Sequence, residues 1–237
     1  MLFKIKILPM KKIIIALIVI STAFFSCKKD PTPTPPVADT TPYMSYTPNS
    51  TWNYTVTNNV TGIPLDYTIT STDRDSTINS KAYHVYTNST GSANEYYNVT
   101  GNDYSTFRNL PASLGGKPVE NIYLKDNIAI GGSWEQTYSI IVSGTVPLTI
   151  KMINTITEKG SLTVNSIAYT DVIHVTTTLQ VSLLGQSLPA GAVTTDIQSY
   201  YARKFGLVLS KNKIVVNYQG INQTVDEQTI LKSADIK

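Results

Sequence analysis

The chain has 237 residues, of which 41% are hydrophobic and only 15% charged, a length that allows one large domain or two small ones. Its formal charge of +3 comes from the front of the chain: Lys4, Lys6, Lys11 and Lys12 precede Ser26 with no acid among them, and without them 15 basic residues face 16 acidic ones. That balance leaves no cationic face for nucleic acid, and a single cysteine, Cys27, rules out an internal disulfide and a multi-thiolate metal site.

The first predicted element is a leader. Lys11-Lys12 is followed by IIIALIVISTAFF over residues 13–25, almost wholly apolar. Thirteen residues of helix span roughly 20 Å, short of the ~30 Å hydrocarbon core of a bilayer, so a secretory signal is expected over residues 1–26. MKKIIIALIVI is itself a complete signal opening, which makes Met10 an alternative start to Met1. Small Ser26 stands at the cleavage position and Cys27 follows it directly. This arrangement resembles the signal of bacterial envelope lipoproteins, although Phe24 and Phe25 stand where the common pattern has Leu and a small residue. The resemblance implies cleavage between Ser26 and Cys27 and acylation of the Cys27 thiol, with the membrane as partner through that anchor. Two or more acyl chains anchor stably, at ~0.8 kcal/mol per buried CH₂. In that family an Asp after the cysteine often signals inner-membrane retention, so Lys28 implies the outer membrane, on its periplasmic or its external side.

Residues 27–45 read as a linker. DPTPTPPVADTTP, residues 30–42, carries five prolines, which favour extended polyproline II geometry and a reach of roughly 45 Å for residues 28–42. The folded domain is expected over 46–237.

Within that domain four segments recur in the same order. NSTWNYTVTN at 49–58 matches GGSWEQTYSI at 131–140; Pro64-Leu65 matches Pro147-Leu148; NSKAYHVYT at 79–87 matches NSIAYTDVIHVTT at 165–177; and EYYNVTGNDY at 95–104 matches SYYARKFGLV at 199–208. An internal repeat is therefore expected over about 47–108 and 128–210. The segments alternate with period two. Trp52, Tyr54 and Val56 share a face; so do Trp134, Tyr138, Ile140 and Val142, with a lapse at Gln136; and so do Tyr169, Ile173, Val175, Leu179, Val181 and Leu183, interrupted by Asp171 and Thr177. Alternation of this kind, with 32 threonines and 15 tyrosines and a turn signal every 8–15 residues, predicts an all-β antiparallel meander of about ten to thirteen strands. Two similar halves would share one core, as a curved sheet or half-barrel or as a two-layer sandwich. The Trp-bearing, Pro-Leu and Tyr-Tyr segments resemble those of poorly characterised β-rich envelope lipoproteins over most of residues 46–218 and, more distantly, the curved half-barrels of periplasmic lipoprotein carriers.

Chemistry is sparse. His84 and His174 fall on the predicted polar faces of matching strands, with only Asp171 near the second, so solvated surface histidines and no metal are expected. Asp73, Arg74 and Asp75 form the densest charge cluster, at an expected turn. Paired carboxylates serve glycosidases, but no established catalytic motif accompanies them and no cofactor is implied. Tyr96, Tyr97, Tyr200 and Tyr201 place one ring on each face of their strands, so the outward ring of each pair is the candidate contact for a ligand. The leading expectation is a lipid-anchored, non-enzymatic envelope protein that binds a glycan, an apolar ligand or an envelope protein, or that serves as a spacer. The alternatives are a carbohydrate-active enzyme or accessory protein, and an acyl-chain or lipoprotein carrier, which would need an open concave apolar face.

Overall fold

A computed structural model describes residues 40–109, 118–142 and 146–237. The expected signal, with Ser26 and Cys27, and the linker through residue 39 lie outside the described residues. Among the described residues there are thirteen strands: β1 (Thr51–Asn58), β2 (Ile63–Ile78), β3 (Lys81–Asn88), β4 (Glu95–Thr100), β5 (Asp103–Asn109), β6 (Pro118–Lys125), β7 (Ser133–Val142), β8 (Val146–Val164), β9 (Ile167–Leu183), the two-residue β10 (Gln186–Ser187), β11 (Val193–Ala202), β12 (Gly206–Tyr218) and β13 (Ile221–Asp235). The all-β antiparallel meander expected from the alternation is what the chain forms, as one sheet in the order β6-β5-β4-β3-β2-β1-β13-β12-β11-β9-β8-β7, with β10 paired to β9 alone.

That order contains two six-strand meanders, β1 to β6 and β7 to β13 less β10, joined where β1 pairs with β13. The recurring segments fall on strands of equal rank: Trp52 on β1 and Trp134 on β7, Pro64 on β2 and Pro147 on β8, Tyr83 on β3 and Tyr169 on β9, Tyr97 on β4 and Tyr201 on β11. A sheet this wide coils under its own twist, and here it curls into a nearly closed barrel rather than two layers. Its free edges, β6 and β7, meet without backbone pairing. Inward side chains of β7 span the gap instead: Trp134 Nε1 donates to the Ile122 carbonyl at 2.9 Å, Ile122 N–H donates to Gln136 Oε1 at 2.9 Å, and Tyr138 O–H donates to the Glu120 carbonyl at 3.0 Å. Side-chain closure of this kind is weaker than a ladder. Gln136→Ala is therefore expected to speed amide hydrogen exchange in β6 selectively, and unchanged exchange at Ile122 would contradict the closure.

One end of the barrel is filled. Trp52, Tyr54, Ile69, Tyr86, Val208 and Leu231 belong to one buried cluster, and Tyr104, Leu124, Trp134, Ile156 and Ile173 to a second. The stretch expected to be linker up to residue 45 takes part in this plug. Tyr43 is 1% and Met44 2% exposed, because Met44 bridges to Phe205 and Lys204 N–H donates to the Pro42 carbonyl at 2.9 Å. Arg203 fixes the segment: its guanidinium pairs with Asp171, donates to the Thr41 carbonyl at 2.7 Å and lies 4.5 Å from the centre of the Tyr43 ring. Gly206, at φ +71°, lies so close to Met44 that a Cβ there would fall 2.7 Å from its sulfur.

Candidate functional site

Above the plug the barrel is hollow. A cavity of about 480 Å³ is lined by residues of β1, β2, β4 to β9, β11 and β12. The alternation that makes the strands also supplies its wall: Tyr54, Tyr67, Ile140, Met152, Leu179 and Ile214 all point inward. The volume lies within the range of small-molecule sites. The opposite end is a mouth ringed by hairpin turns, with exposed apolar side chains at Val60, Ile63 and Leu65 around the β1–β2 turn, Ile141 at the end of β7 and Leu184 after β9; Ile130 and Ile167 are exposed at the plugged end.

Of the four candidate tyrosines, Tyr97 and Tyr201 line the cavity. Burial holds the Tyr97 phenol well above its ordinary range and pushes Tyr201 up to about 12. Tyr97 O–H donates to Glu95 Oε2 at 2.9 Å. Tyr96 and Tyr200 point outward. Tyr200 is stacked on His174, with centroids 4.0 Å apart and planes 12° from parallel, so its ring face is occupied by the chain itself. His174 is half-buried by that stack, and burial lowers its pKa.

His84 does not lie in solvent as expected. Its side chain is 12% exposed. A register shift in β2 between Ser71 and Asp75 brings both of these residues to the imidazole: Ser71 Oγ is 2.9 Å from Nε2, and Asp75 Oδ1 is 2.9 Å from Nδ1. Alternation fails on β3 because both of its faces are covered. Tyr86 is enclosed with Trp52 and Tyr46 on one face, while Tyr83 packs on Phe107 on the other. Ser71, His84 and Asp75 have the chain of contacts of a nucleophilic triad, but neither Ser71 nor His84 lines the cavity, and Ser71 is 1% exposed. A nucleophile needs room for a carbonyl carbon and donors for the developing oxyanion, so this trio is a packing network. A fluorophosphonate probe is expected to leave Ser71 unlabelled, and a covalent adduct on its peptide would reverse that reading.

Asp73, Arg74 and Asp75 lie on that β2 irregularity, within a strand rather than at a turn. Asp75 is committed to His84, and neither aspartate lines the cavity. Among the described residues, no three His, Cys, Asp or Glu side chains gather closely enough to hold a metal ion.

Sequence reasoning missed the deep polar residues Thr106, Asn121, Asn154 and Thr177, all of which line the cavity. Thr177 O–H donates to Asn154 Oδ1 at 2.7 Å. Asn154 Nδ2 and Thr106 Oγ1 are buried without a partner among the described residues. The one signal available was Thr177, a polar lapse in the apolar face of β9.

No protein-family model matches the chain, and no curated protein matches it. Among solved structures it is similar to one described as a "putative lipoprotein" from Parabacteroides distasonis, at 13% identity and a TM-score of 0.49 over 84% of this chain and 100% of that one.

Proposed function

We propose that this chain is a cell-envelope lipoprotein, anchored at the outer membrane through Cys27, whose barrel is two copies of one six-strand unit and binds a small, largely apolar molecule without transforming it. The observation that carries the reading is the 480 Å³ cavity, plugged at one end and walled by aliphatic and aromatic side chains. Burial of apolar surface at ~25 cal/mol per Å² supplies the driving force for an apolar guest. The apolar rim of Val60, Ile63 and Leu65 suits transfer of such a guest from a lipid or protein donor. The chain enters the barrel at Thr41, on the plugged side, where Arg203 holds it. The glycan reading is less well supported. A sugar platform needs an open ring face, and the Tyr200 face is covered by His174.

The test uses the full-length chain in lipid nanodiscs, with bound molecules counted by native mass spectrometry. N-phenyl-1-naphthylamine is expected to add at one per chain. Leu179→Trp, which puts an indole into the cavity, is expected to weaken that adduct by about tenfold, the equivalent of 1.4 kcal/mol, without loss of fold. An adduct that Leu179→Trp leaves intact lies elsewhere and ends the cavity reading. Separately, Cys27→Ala chain that still fractionates with membranes would end the lipid-anchor reading.

A further inference from the structure

The polar side chains low in the cavity form a row. Thr106 on β5 lies opposite Asn121 on β6. Trp134 on β7 bonds across the gap to Ile122, the next residue on β6, and lies opposite Asn154 on β8. Asn154 in turn lies opposite Thr177 on β9. Hydrogen bonds of a sheet run across its strands, so this row is a belt across β5 to β9 at one level. Two residues deeper along the same strands are Tyr104, Ile156 and Val175, in the plug; two residues nearer the mouth are Val119, Met152 and Leu179, on the apolar wall. The belt therefore lies in the lower part of the cavity, below which Met44, Tyr123, Val175, Tyr201 and the Gly206 end of β12 also line it.

Two of its groups are poised for something the protein does not supply. Asn154 is 3% exposed and uses only its carbonyl oxygen; its Nδ2 has no acceptor among the described residues. Thr106 is 7% exposed, and its Oγ1 likewise has no partner among them. Buried polar groups are almost always satisfied, and an exception calls for an absent partner. Asn154 Nδ2 can only donate, so the partner brings an acceptor oxygen; the Thr106 hydroxyl donates or accepts. The belt carries no charge. Among the described residues, the charged ones that line the cavity are Glu95, Arg108 and Lys211. Glu95 accepts from Asn88 and Tyr97, Arg108 stands two residues nearer the mouth than Thr106, and Lys211 is exposed. A carboxylate at the belt would be buried with no cation beside it, which is heavily unfavourable.

We propose that the ligand is an uncharged amphiphile with an oxygen-bearing head, of the monoacylglycerol class, bound head-down, with its ester and hydroxyl oxygens on Asn154 Nδ2 and Thr106 Oγ1 and its chain along Met152 and Leu179. This rests on the cavity reading above and adds a head group and an orientation to it.

The same full-length chain in nanodiscs is titrated with monolauroylglycerol, with laurate and with N-phenyl-1-naphthylamine, each followed by native mass spectrometry. Monolauroylglycerol is expected to bind about tenfold more tightly than laurate, the preference that one or two buried hydrogen bonds confer. Asn154→Leu and, separately, the near-isosteric Thr106→Val are expected to weaken monolauroylglycerol by about tenfold while leaving the naphthylamine, which offers no acceptor oxygen, unchanged. The naphthylamine control and a native circular dichroism spectrum show that each variant has folded. If the naphthylamine binds but laurate equals or exceeds monolauroylglycerol, or if both variants keep the preference, the head-down assignment falls while the cavity reading stands, and water fills the two vacant positions. If the naphthylamine fails to bind as well, both fall.

Discussion

Raising the pH from 10 to 12 is expected to unfold the barrel in one cooperative step. Tyr54, Tyr97 and Tyr123 are held well above the ordinary phenol value of 10, and Tyr201 is pushed up to about 12, in each case chiefly by burial. A folded pKa raised above the unfolded one means that the native state keeps protons the unfolded chain releases. The stability tied to those protons is whole below pH 10 and is lost as pH climbs towards the folded value. For Tyr201 the loss amounts to about 2–3 kcal/mol by pH 12, and Tyr54, Tyr97 and Tyr123 add to it in the same direction. An ordinary domain is held together by only ~5–15 kcal/mol, so the simultaneous ionisation of several buried phenols threatens the whole barrel. Tyrosinate absorbance and far-ultraviolet circular dichroism should therefore change together and reverse together. Phenols that titrate smoothly near pH 10 while the strands persist would show that solvent reaches the barrel interior freely.

The strands were legible in the sequence because their periodicity is local. A half-buried strand writes its two faces into every second residue, and β7 does so almost without error: Trp134, Gln136, Tyr138 and Ile140 point inward and Ser133, Glu135, Thr137 and Ser139 outward. The three lapses that spoiled the pattern turned out to be informative. Gln136 bonds the opposite edge of the barrel, Asp171, at φ +54°, anchors Arg203 and Tyr43, and Thr177 orients Asn154. Gln136 and Thr177, polar on an inward face, must find partners, and half-exposed Asp171 finds its own in Arg203 and Tyr43, so each lapse marked a contact whose other end lay outside its own strand. The other end was not legible. Nothing local ties Asn154 to Thr106, since their shared level is set by barrel closure and by registers that accumulate across β6 and β7. His84 failed for a different reason: with both faces of β3 covered, alternation no longer distinguishes inside from outside, and the register shift that delivers Ser71 and Asp75 leaves no mark in residue type. Tyr43 and Met44 follow a proline ladder, and only the cleft beside Gly206 shows why they fold in rather than trail out.

Trp52→Ala is expected to cost about 3–5 kcal/mol, the range for truncating a buried aromatic ring, and to lower the midpoint of urea unfolding accordingly. Trp52 is fully buried. It packs edge-on against Tyr86 at 5.8 Å and lies opposite Ile69 on β2 and Ala234 on β13. It thus sits where the first and last strands join, and little nearby can collapse into the space it would vacate. Its Nε1 has no partner among the described residues, so Trp52→Phe removes volume but no hydrogen bond and should cost clearly less than Trp52→Ala. Trp134 reverses the comparison. Its Nε1 holds the Ile122 carbonyl across the β6–β7 gap, so Trp134→Phe frees an edge carbonyl and should loosen β6 as well as the core. Hydrogen exchange separates the two mechanisms. Trp52→Phe should shift protection evenly across β1, β2 and β13, whereas Trp134→Phe should concentrate its effect at Ile122 and its neighbours. Equal and uniform effects from both would mean that the edges are held by packing alone, without help from side-chain hydrogen bonds.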